Sequence, residues 1–400
     1  MEQAARIKEL ADRIFPEVVS LRRHFHQHPE LSFEERQTSA FIAQILREWG
    51  IPFREGIGGF GLVAEIGTSG GDVIALRADM DALPIHEAND VPYRSQNDGV
   101  MHACGHDVHT ASLLGTAWLL NQLRDELHGK VTLIFQPAEE KLPGGASLML
   151  KDGIFAAVKP AAIFGQHVHP PLTTGKVGFR AGPYMASADE LYITVKGRGG
   201  HGALPHQCID PVAMSAHLIT ALQQLVSRYA DPLVPSVLTI GKIFSEGGAT
   251  NVIPNVVHME GTFRTFDEEW RDEAHRRMKK MAEGLIEGLG GACDFQIVKG
   301  YPFLENDPNL TVRSMDDARQ FLGEGNVVSL DQRMTAEDFA WFAQEVPGCF
   351  YRLGTSSESG GMTAPVHTDI FDVDEECLRT GVGLMAWLGI RQLQRKPLSS

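Results

Sequence analysis

The chain has 400 residues, of which 43% are hydrophobic and 22% are charged, a composition typical of a globular protein with about two domains. Its 36 Lys and Arg residues against 51 Asp and Glu residues give a net charge of −15, which argues against a protein that binds nucleic acid by neutralising phosphates. The sequence contains no run of about 18 apolar residues, which argues against a membrane span.

The first residues and the cysteines indicate where the protein works. The N-terminal segment is polar and helical in pattern, without the apolar region of a signal peptide. The five cysteines are odd in number and far apart, which argues against a disulfide framework and favours a reducing, cytoplasmic setting. Several of the 16 histidines lie beside carboxylates, and these are the first candidates for a functional site.

Predicted helices and strands alternate along the chain. Residues 34–49 carry apolar side chains at helical spacing, and the apolar runs 61–67 and 72–78 predict two strands joined by a hairpin turn at 68–71. Further along, the pattern predicts a buried helix over 109–123, strands over 131–136, 161–168, 327–330 and 349–354, and a closing helix over 374–395. Such alternation predicts an α/β domain with a mostly parallel sheet.

Residues 186–299 are predicted to form a separate, inserted domain. Asp210 is a suitable N-cap residue and Pro211 a suitable first residue for a helix within this segment. The predicted order of elements is strand, helix, strand, strand, helix and strand, which is that of a ferredoxin-like sandwich. The insertion would divide the main α/β domain into residues 1–185 and 300–400.

The densest group of chemically active residues is the segment His102–His109, at the entry to the predicted buried helix. Cys104 and His106 are two residues apart, so both can face the same point in an extended loop. A thiolate and an imidazole are good ligands for zinc-like divalent ions. A buried free cysteine beside solvent-facing histidines is the alternative, and this segment alone leaves both open.

Two adjacent acids, Glu139 and Glu140, follow the predicted strand 131–136. Ligands bind at the carboxyl ends of strands in parallel α/β sheets. Adjacent side chains point in different directions, so one carboxylate can bind a metal while the other acts as a base. The alternative is that both acids favour the start of a following helix through its dipole.

Histidines occur in two further places of this kind. His167 lies at the end of the predicted strand 161–168, and His367 lies in a polar loop ahead of the last helix. A single histidine in such a loop is more often simply exposed. Together with the cysteine and acid groups, however, these residues predict one metal site at the strand ends.

Two other patterns have simpler explanations. The stretch Thr335–Asp338 resembles a capping box with Asp in place of Glu, which predicts that a helix begins there. His24, His26 and His28 lie in one predicted helix. Metal binding at these histidines is possible and an interface or substrate-side role fits better, while a purely structural role is the alternative to both.

The chain resembles the dinuclear-metal aminoacylase and carboxypeptidase family over nearly its whole length. The motifs that carry the resemblance are HPELSFEE (28–35), RADMDALPI (77–85), HACGHDVHTA (102–111), FQPAEE (135–140), GQHVHP (165–170), GRGGHGALPH (197–206), NVIPN (251–255), GTFR (261–264) and AEDFAWF (336–342). The most similar branch contains the hippurate hydrolases, N-acyl-amino-acid amidohydrolases and auxin-conjugate hydrolases. The resemblance implies a zinc-peptidase-like α/β catalytic domain interrupted by a ferredoxin-like α+β domain that acts as lid and dimerisation domain.

The resemblance also implies roles for individual residues. The implied metal ligands are Cys104, His106, Glu140, His167 and His367, and Glu139 is implied to be the general base and then the general acid. Asp79 stands where other branches have a ligand histidine, so Cys104 and His106 would bind metal instead, as in the amidohydrolase branch. Asp81 is expected either to orient a ligand or to cap its loop.

Three residues of the inserted domain have implied roles toward substrate. His201 follows flexible glycines and is implied to reach the active site of a neighbouring subunit and help to hold the oxyanion. Asn251 and Arg264 resemble the family's anchoring pair for the free carboxylate, which suits the planar fork of an arginine. The alternatives are a surface histidine in a Gly-rich turn and a structural ion pair for Arg264.

These expectations describe a metal-dependent amidohydrolase for N-acyl-L-amino acids such as N-acetyl or N-benzoyl compounds. Two divalent ions about 3.5–4 Å apart can share one water and lower its pKa to about 7, with Glu139 taking its proton. The ions expected are Zn, Mn, Co or Ni, in a homodimer or a dimer of dimers. A dipeptidase or carboxypeptidase with the same site is the alternative. A non-catalytic metal-binding protein would not need the free base.

Overall fold

A computed structural model of the chain describes residues 2–68, 70–357 and 364–395. The chain divides into two compact units. The first, here called the main unit, comprises Met1–Tyr184, Glu305–Asp331 and Asp338–Ser400. The second, here called the inserted unit, comprises Met185–Leu304 and the short segment Gln332–Glu337.

The main unit is built around one large sheet covered by helices. Its helices are α1 (Glu2–Gln27), α2 (Arg36–Glu48), α3 (His106–Gln122), α4 (Gly145–Lys151), α7 (Pro308–Leu322), α8 (Ala340–Glu345) and α9 (Cys377–Leu393). The strands of the sheet are β1 (Phe53–Ile57), β2 (Gly61–Gly67), β3 (Asp72–Asp79), β4 (Gly129–Gln136), β5 (Ala162–Thr173), β6 (Val177–Phe179), β15 (Val327–Ser329) and β16 (Gly348–Ser356). Within the described residues, no helix is both long and apolar enough to cross a membrane.

The strands of this sheet lie in the order β1-β2-β4-β3-β5-β16-β6-β15. Its four central strands β4, β3, β5 and β16 are parallel to one another, as the alternation of apolar strands and helices predicts. Strands β1 and β2 continue the sheet in antiparallel pairing on one side. The carboxyl ends of β3, β4 and β5 therefore meet at one edge, where a ligand site of a parallel sheet is expected.

The predicted hairpin between residues 61–67 and 72–78 is wrong. β4 lies between β2 and β3, antiparallel to the first and parallel to the second. The glycines near 70 mark a change of direction but do not determine which strand becomes the neighbour, because that choice depends on pairing with a strand more than 50 residues away. Ser69, in the middle of the connection, lies outside the described residues.

The inserted unit has a four-stranded antiparallel sheet and two helices. The sheet has the order β10-β12-β8-β13, formed by β8 (Asp189–Lys196), β10 (Ser236–Ser245), β12 (Val256–Thr265) and β13 (Ala292–Lys299). The helices are α5 (Pro211–Gln224) and α6 (Glu268–Gly288). Chain order and sheet order are those of a ferredoxin-like sandwich. The remaining short strands of the chain are β7 (Gly182–Met185), β9 (Gly200–His201), β11 (Val252–Ile253) and β14 (Leu304–Asn306).

Sequence signals for the inserted unit act as expected. Asp210 caps α5, since its side chain accepts hydrogen bonds from the backbone N–H groups of Val212 and Ala213. Along β8 buried and less buried positions alternate, and the buried set Leu191, Ile193 and Val195 packs with residues of α5 and α6 in one apolar core. This period of two is what a sheet with one covered face requires.

Helix α3 carries the candidate metal-binding segment into the core of the main unit. Nearly all of its residues are buried, and it packs against α1 and α9. It begins after Gly105, which has φ +80°. A Cβ at this position would come within 2.6 Å of Val168 Cγ2, so glycine permits both the left-handed turn and the close approach of β5. The turn thus places Cys104 and His106 beside the middle of β5, near Val168.

The predicted helix start at Thr335–Asp338 is wrong. Helix α8 begins at Ala340 after Phe339, without a side-chain cap. The carboxylate of Asp338 is buried and instead accepts hydrogen bonds from Arg77 and Gln136. A buried acceptor and a helix cap use the same residue type, so the local pattern did not distinguish them.

A buried ion network joins α1 to the start of α3. Arg22 is fully buried and donates from Nε to Asp107 Oδ2 at 2.8 Å and from Nη2 to Asp372 Oδ1 at 2.8 Å. His26 lies 2.8 Å from Asp107 Oδ2 and 3.0 Å from Glu87 Oε1. Burial raises the pKa of Asp107, but the charge of Arg22 outweighs it and the pKa is lowered.

This network agrees with the structural alternative for one histidine of α1. His26 is fully buried between two carboxylates. His24 is partly buried and stacks on Phe41, with ring centroids 3.8 Å apart.

Replacing Arg22 with leucine should lower the free energy of unfolding by about 3–5 kcal/mol, because it leaves buried carboxylates without their counter-charge. The matched control is Arg23→Leu, which removes an exposed pair with Glu375 and should cost less than about 1 kcal/mol. Urea unfolding of the two variants and the wild type measures the difference. Equal losses for both variants would contradict the assigned role of Arg22.

Candidate metal centre

The candidate ligands lie at the carboxyl-end edge of β3, β4 and β5. Glu139 and Glu140 follow the end of β4, and His167 lies within β5. His106 is the first residue of α3, and His367 lies in the loop ahead of α9. His367 has φ +64°, and its N–H donates to Ala103 O at 2.7 Å, which fixes this loop beside Cys104.

The five predicted ligands come together. Cys104 Sγ lies 3.4 Å from His167 Nε2 and 3.3 Å from His367 Nε2. Glu140 Oε1 lies 3.4 Å from His367 Nε2 and 3.9 Å from His106 Nε2. Two atoms that both bind a tetrahedral zinc-like ion at about 2.0–2.3 Å are about 3.3–3.8 Å apart. Three of these four distances lie in that range and the fourth is 3.9 Å, so the spacing suits a set of metal ligands.

These five side chains and Glu139 form three of the five groups, among the described residues, whose ligand atoms lie within 4.8 Å of one another. The groups are Cys104, His106 and His167; Cys104, Glu140 and His367; and His106, Glu139 and Glu140. Because Cys104, His106 and Glu140 each belong to two groups, the cluster has room for more than one ion with shared ligands.

Hydrogen bonds leave the ring nitrogens that face the cluster free to bind. His167 Nδ1 donates to the carbonyl of Val168 at 2.8 Å, so the neutral ring has its lone pair on Nε2. His106 Nδ1 lies 3.3 Å from the carboxylate of Asp81, and there too Nε2 is the free nitrogen. Metal-binding histidines are oriented in this way by carboxylates and carbonyls behind them.

Two buried atoms in the cluster lack hydrogen-bond partners. Among the described residues, none forms a hydrogen bond with His106 Nε2 or Glu140 Oε1, although His367 Nε2 lies 3.4 Å from the glutamate oxygen. A buried polar atom without a partner costs about 1–3 kcal/mol, yet these two face each other across 3.9 Å. A divalent cation between them would satisfy both, so the residues present fit a metal ion.

The field of the cluster favours positive charge. Burial lowers the pKa of His106, but the negative charge of Asp79 and the hydrogen bond with Asp81 outweigh it and raise the pKa to about 10. Burial and the nearby charge of Glu140 raise the pKa of the Cys104 thiol. A metal ion would supply the positive charge that the imidazolium otherwise carries, and its binding would release protons.

Asp81 holds the backbone of the two glutamates. Its Oδ1 accepts from the N–H of Glu139 at 3.0 Å, and its Oδ2 accepts from the N–H of Glu140 at 2.9 Å. Ser32 donates to Oδ2 at 2.6 Å. Asp81 therefore both orients His106 and caps the Glu139–Glu140 loop, which joins the two roles that the sequence left open.

Asp79 belongs to a buried network that sequence reasoning missed. Its carboxylate lies 2.5 Å from His109 Nδ1 and accepts from Arg77 Nη1 at 2.7 Å. His109 Nε2 accepts from the N–H of Val168 at 2.9 Å, so both nitrogens of this ring are used within the protein. Asp79 is thus engaged with its neighbours, and His109 ties it to the strand that carries His167. The sequence shows that His109 follows His106 by three residues, but it does not show that Asp79 and Val168 are the hydrogen-bond partners of His109.

The residues predicted in the inserted unit lie on its strands and loops. His201 is an exposed residue of β9, and its Nδ1 accepts from Ala203 N at 3.0 Å, so the neutral ring carries its proton on Nε2. Asn251 is exposed, and its carbonyl accepts from Gly202 N at 2.8 Å. Arg264 lies on β12 and donates from Nη1 to Met334 O at 3.2 Å. No carboxylate in the described part of the chain forms an ion pair with Arg264, which disfavours a structural ion pair.

Comparisons with known proteins agree with this geometry. The model of peptidase family M20/M25/M40 matches residues 75–388. The N-acetylcysteine deacetylase of Bacillus subtilis strain 168 is 41% identical over 388 residues, which are 96% of this chain and 99% of that protein. The thermostable carboxypeptidase 2 of Saccharolobus solfataricus is 39% identical over 390 residues, 96% of each chain.

A solved structure shares both the fold and the sequence pattern. The crystal structure of a Bacillus subtilis protein described as a dinuclear metal binding peptidase from the M20 family has a TM-score of 0.82 and 38% sequence identity. The similarity covers 96% of this chain and 99% of that one.

Proposed function

The chain belongs to peptidase family M20/M25/M40, and from that premise we propose that it uses two divalent metal ions to hydrolyse the amide bond of N-acyl-L-amino acids. It is a metal-dependent hydrolase of the amidohydrolase type. The observation that carries the proposal is the pair of orphaned atoms, His106 Nε2 and Glu140 Oε1, buried 3.9 Å apart within a cluster of sulfur, nitrogen and oxygen donors.

The proposed ligands are Cys104, His106, Glu140, His167 and His367. Thiolate, imidazole and carboxylate donors suit zinc and related ions of the first transition series, and we propose Zn, Mn, Co or Ni. When bound, the ions lower the pKa of a water molecule and stabilise negative charge that develops on the carbonyl oxygen. Asp81 and the Val168 carbonyl hold the two buried imidazoles in the orientation that binding requires.

Glu139 is the proposed general base. It is buried beside the cluster at 7% exposure, and its backbone is held by Asp81. Its Oε1 lies 3.4 Å from the N–H of Asp338, a contact that directs the carboxylate without neutralising it. Glu139 would remove the proton from the attacking water and then deliver it to the departing amine.

The inserted unit supplies the proposed substrate contacts and the lid. The Nε2–H of His201 is a donor suited to the oxyanion, and its exposure allows it to reach a neighbouring subunit. The guanidinium of Arg264 has further N–H donors that can bind the substrate carboxylate. Asn251 is proposed to bind the same carboxylate. We assign residues 186–299 as lid and dimerisation domain, and 1–185 with 300–400 as catalytic domain.

A homodimer or a dimer of dimers is part of this proposal. β10 is an edge strand of the inserted sheet, and its Val237, Ile243 and Phe244 are exposed. An edge strand with apolar side chains is suited to pairing with another copy of the chain.

All five cysteines are free, which supports the proposed cytoplasmic location.

A carboxypeptidase or dipeptidase is the second candidate, favoured by the relative named thermostable carboxypeptidase 2. The two candidates differ in the acyl group on the carbonyl side of the scissile bond, not in the metal site. An acyl group lacks the free amine of a dipeptide.

Purified protein should hydrolyse N-acetyl and N-benzoyl amino acids with a higher kcat/KM than it shows for dipeptides. Treatment with EDTA should abolish this activity, and added Zn, Mn, Co or Ni should restore it, because the ions activate the water. Free amino acid released from a matched panel measures both effects. A preference for dipeptides would support the peptidase candidate, and activity indifferent to EDTA would contradict the metal-dependent mechanism.

Glu139→Gln should lower kcat by about 10²–10⁴-fold because the amide cannot accept the proton. Its metal content should equal that of the wild type, since Glu139 is not a proposed ligand. Glu140→Gln is the matched comparison and should lower metal content as well as activity. The measurements are steady-state kinetics and metal analysis by mass spectrometry. Near-wild-type turnover in Glu139→Gln would refute the assignment of the base.

A further inference from the structure

Glu35 is a buried carboxylate that the mechanism has not used. It has no exposed surface and stands at the start of α2. Its Oε1 accepts from the backbone N–H of Ala138 at 2.8 Å and from that of Phe33 at 3.0 Å. Ala138 is the residue immediately before the proposed base, so this one oxygen connects the loop ahead of α2 with the catalytic loop.

Both residues that donate to Glu35 have unusual backbone conformations. Among the described residues, three non-glycine residues have positive φ: Phe33 at +70°, Ala138 at +51° and His367 at +64°. A left-handed conformation is unfavourable for residues with a Cβ and persists where the surroundings enforce it. Two of the three donate their N–H groups to the same carboxylate oxygen, and the third is a proposed metal ligand.

The backbone of the catalytic loop is held at three consecutive amides. Glu35 binds the N–H of Ala138, while Asp81 binds those of Glu139 and Glu140. On its other side, the carbonyl of Ala138 accepts from Gly145 N at 2.9 Å at the start of α4. Each peptide that sets the direction of the Glu139 side chain is therefore anchored by a buried group.

We propose that Glu35 is a positioning residue for the general base, which keeps Ala138 in its left-handed conformation and so aims the Glu139 carboxylate at the reacting water. This inference rests on the proposed function. Glu35 contributes an acceptor oxygen on a side chain long enough to meet both backbone N–H groups. Its charge is not required, because its two partners are neutral amides. Asp81 alone does not restrain Ala138.

Two substitutions separate reach from charge. E35Q keeps the side-chain length and an oxygen acceptor but removes the charge, whereas E35D keeps the charge but is one methylene shorter and cannot serve both amides. Because a displacement of about 1 Å can cost about 10²-fold in rate, E35D should lower kcat by at least about tenfold and E35Q by no more than about threefold. KM and metal content should stay at wild-type values in both variants.

The matched control is E30D in the same loop. The carboxylate of Glu30 accepts from the N–H groups of Gln37 and Thr38 and from Thr38 Oγ1, so these hydrogen bonds support α2 and not the loop 138–140. E30D should lower the midpoint of thermal unfolding while kcat is unchanged. An equal loss of kcat in E30D and E35D would show a general effect of loop stability and overturn the inference, as would wild-type kcat in E35D.

Amide hydrogen exchange gives a readout that does not depend on activity. The N–H of Ala138 should exchange faster in E35D than in E35Q, and E30D should match the wild type. If the wild-type protein hydrolyses no N-acyl amino acid, the proposed function fails, and exchange alone then decides whether Glu35 restrains the loop. Unchanged exchange at Ala138 in E35D would overturn the restraint itself.

Discussion

Buried charge is the constraint on which the rest of this structure depends. Asp79, Asp81 and Glu139 are all buried at one edge of the main sheet, and burying carboxylates is unfavourable unless each gains a partner. Asp79 gains Arg77 and His109, and Asp81 gains two backbone amides and Ser32. Within the proposed ligand set, His106 Nε2 and Glu140 Oε1 are left without hydrogen-bond partners, and the proposed cation would complete the compensation there.

The supporting layers turn this cluster into a site with defined geometry. Behind the ligands, hydrogen bonds to Asp81 and Val168 select the binding nitrogen of His106 and His167. Further back, the Arg22 network fixes the start of α3 through Asp107, next to His106 in sequence. In the proposed mechanism, residues far from the reacting atoms would contribute by restricting the few side chains that would hold the metal, which is what preorganised sites require.

Local signals in the sequence predicted much of this architecture. The 3.6-residue period located α2, Asp210 and Pro211 marked the start of α5, and the positions of Glu140 and His167 in or after predicted strands pointed to one edge of the sheet. The features that the sequence did not predict depend on residues far apart along the chain. The neighbour of β2 is chosen across more than 50 residues, and Glu35 meets Ala138 across 103 positions. Asp338 has the local pattern of a helix cap, and only the fold reveals that Arg77 is its partner.

The most direct test of the central claim is a crystal structure of metal-loaded protein with anomalous diffraction measured at the absorption edge of the metal. We predict two anomalous peaks within bonding distance of the cluster formed by Cys104, His106, Glu140, His167 and His367, with His106 Nε2 and Glu140 Oε1 both bound. Peaks held by other residues, or no bound metal with these five side chains dispersed, would contradict the account.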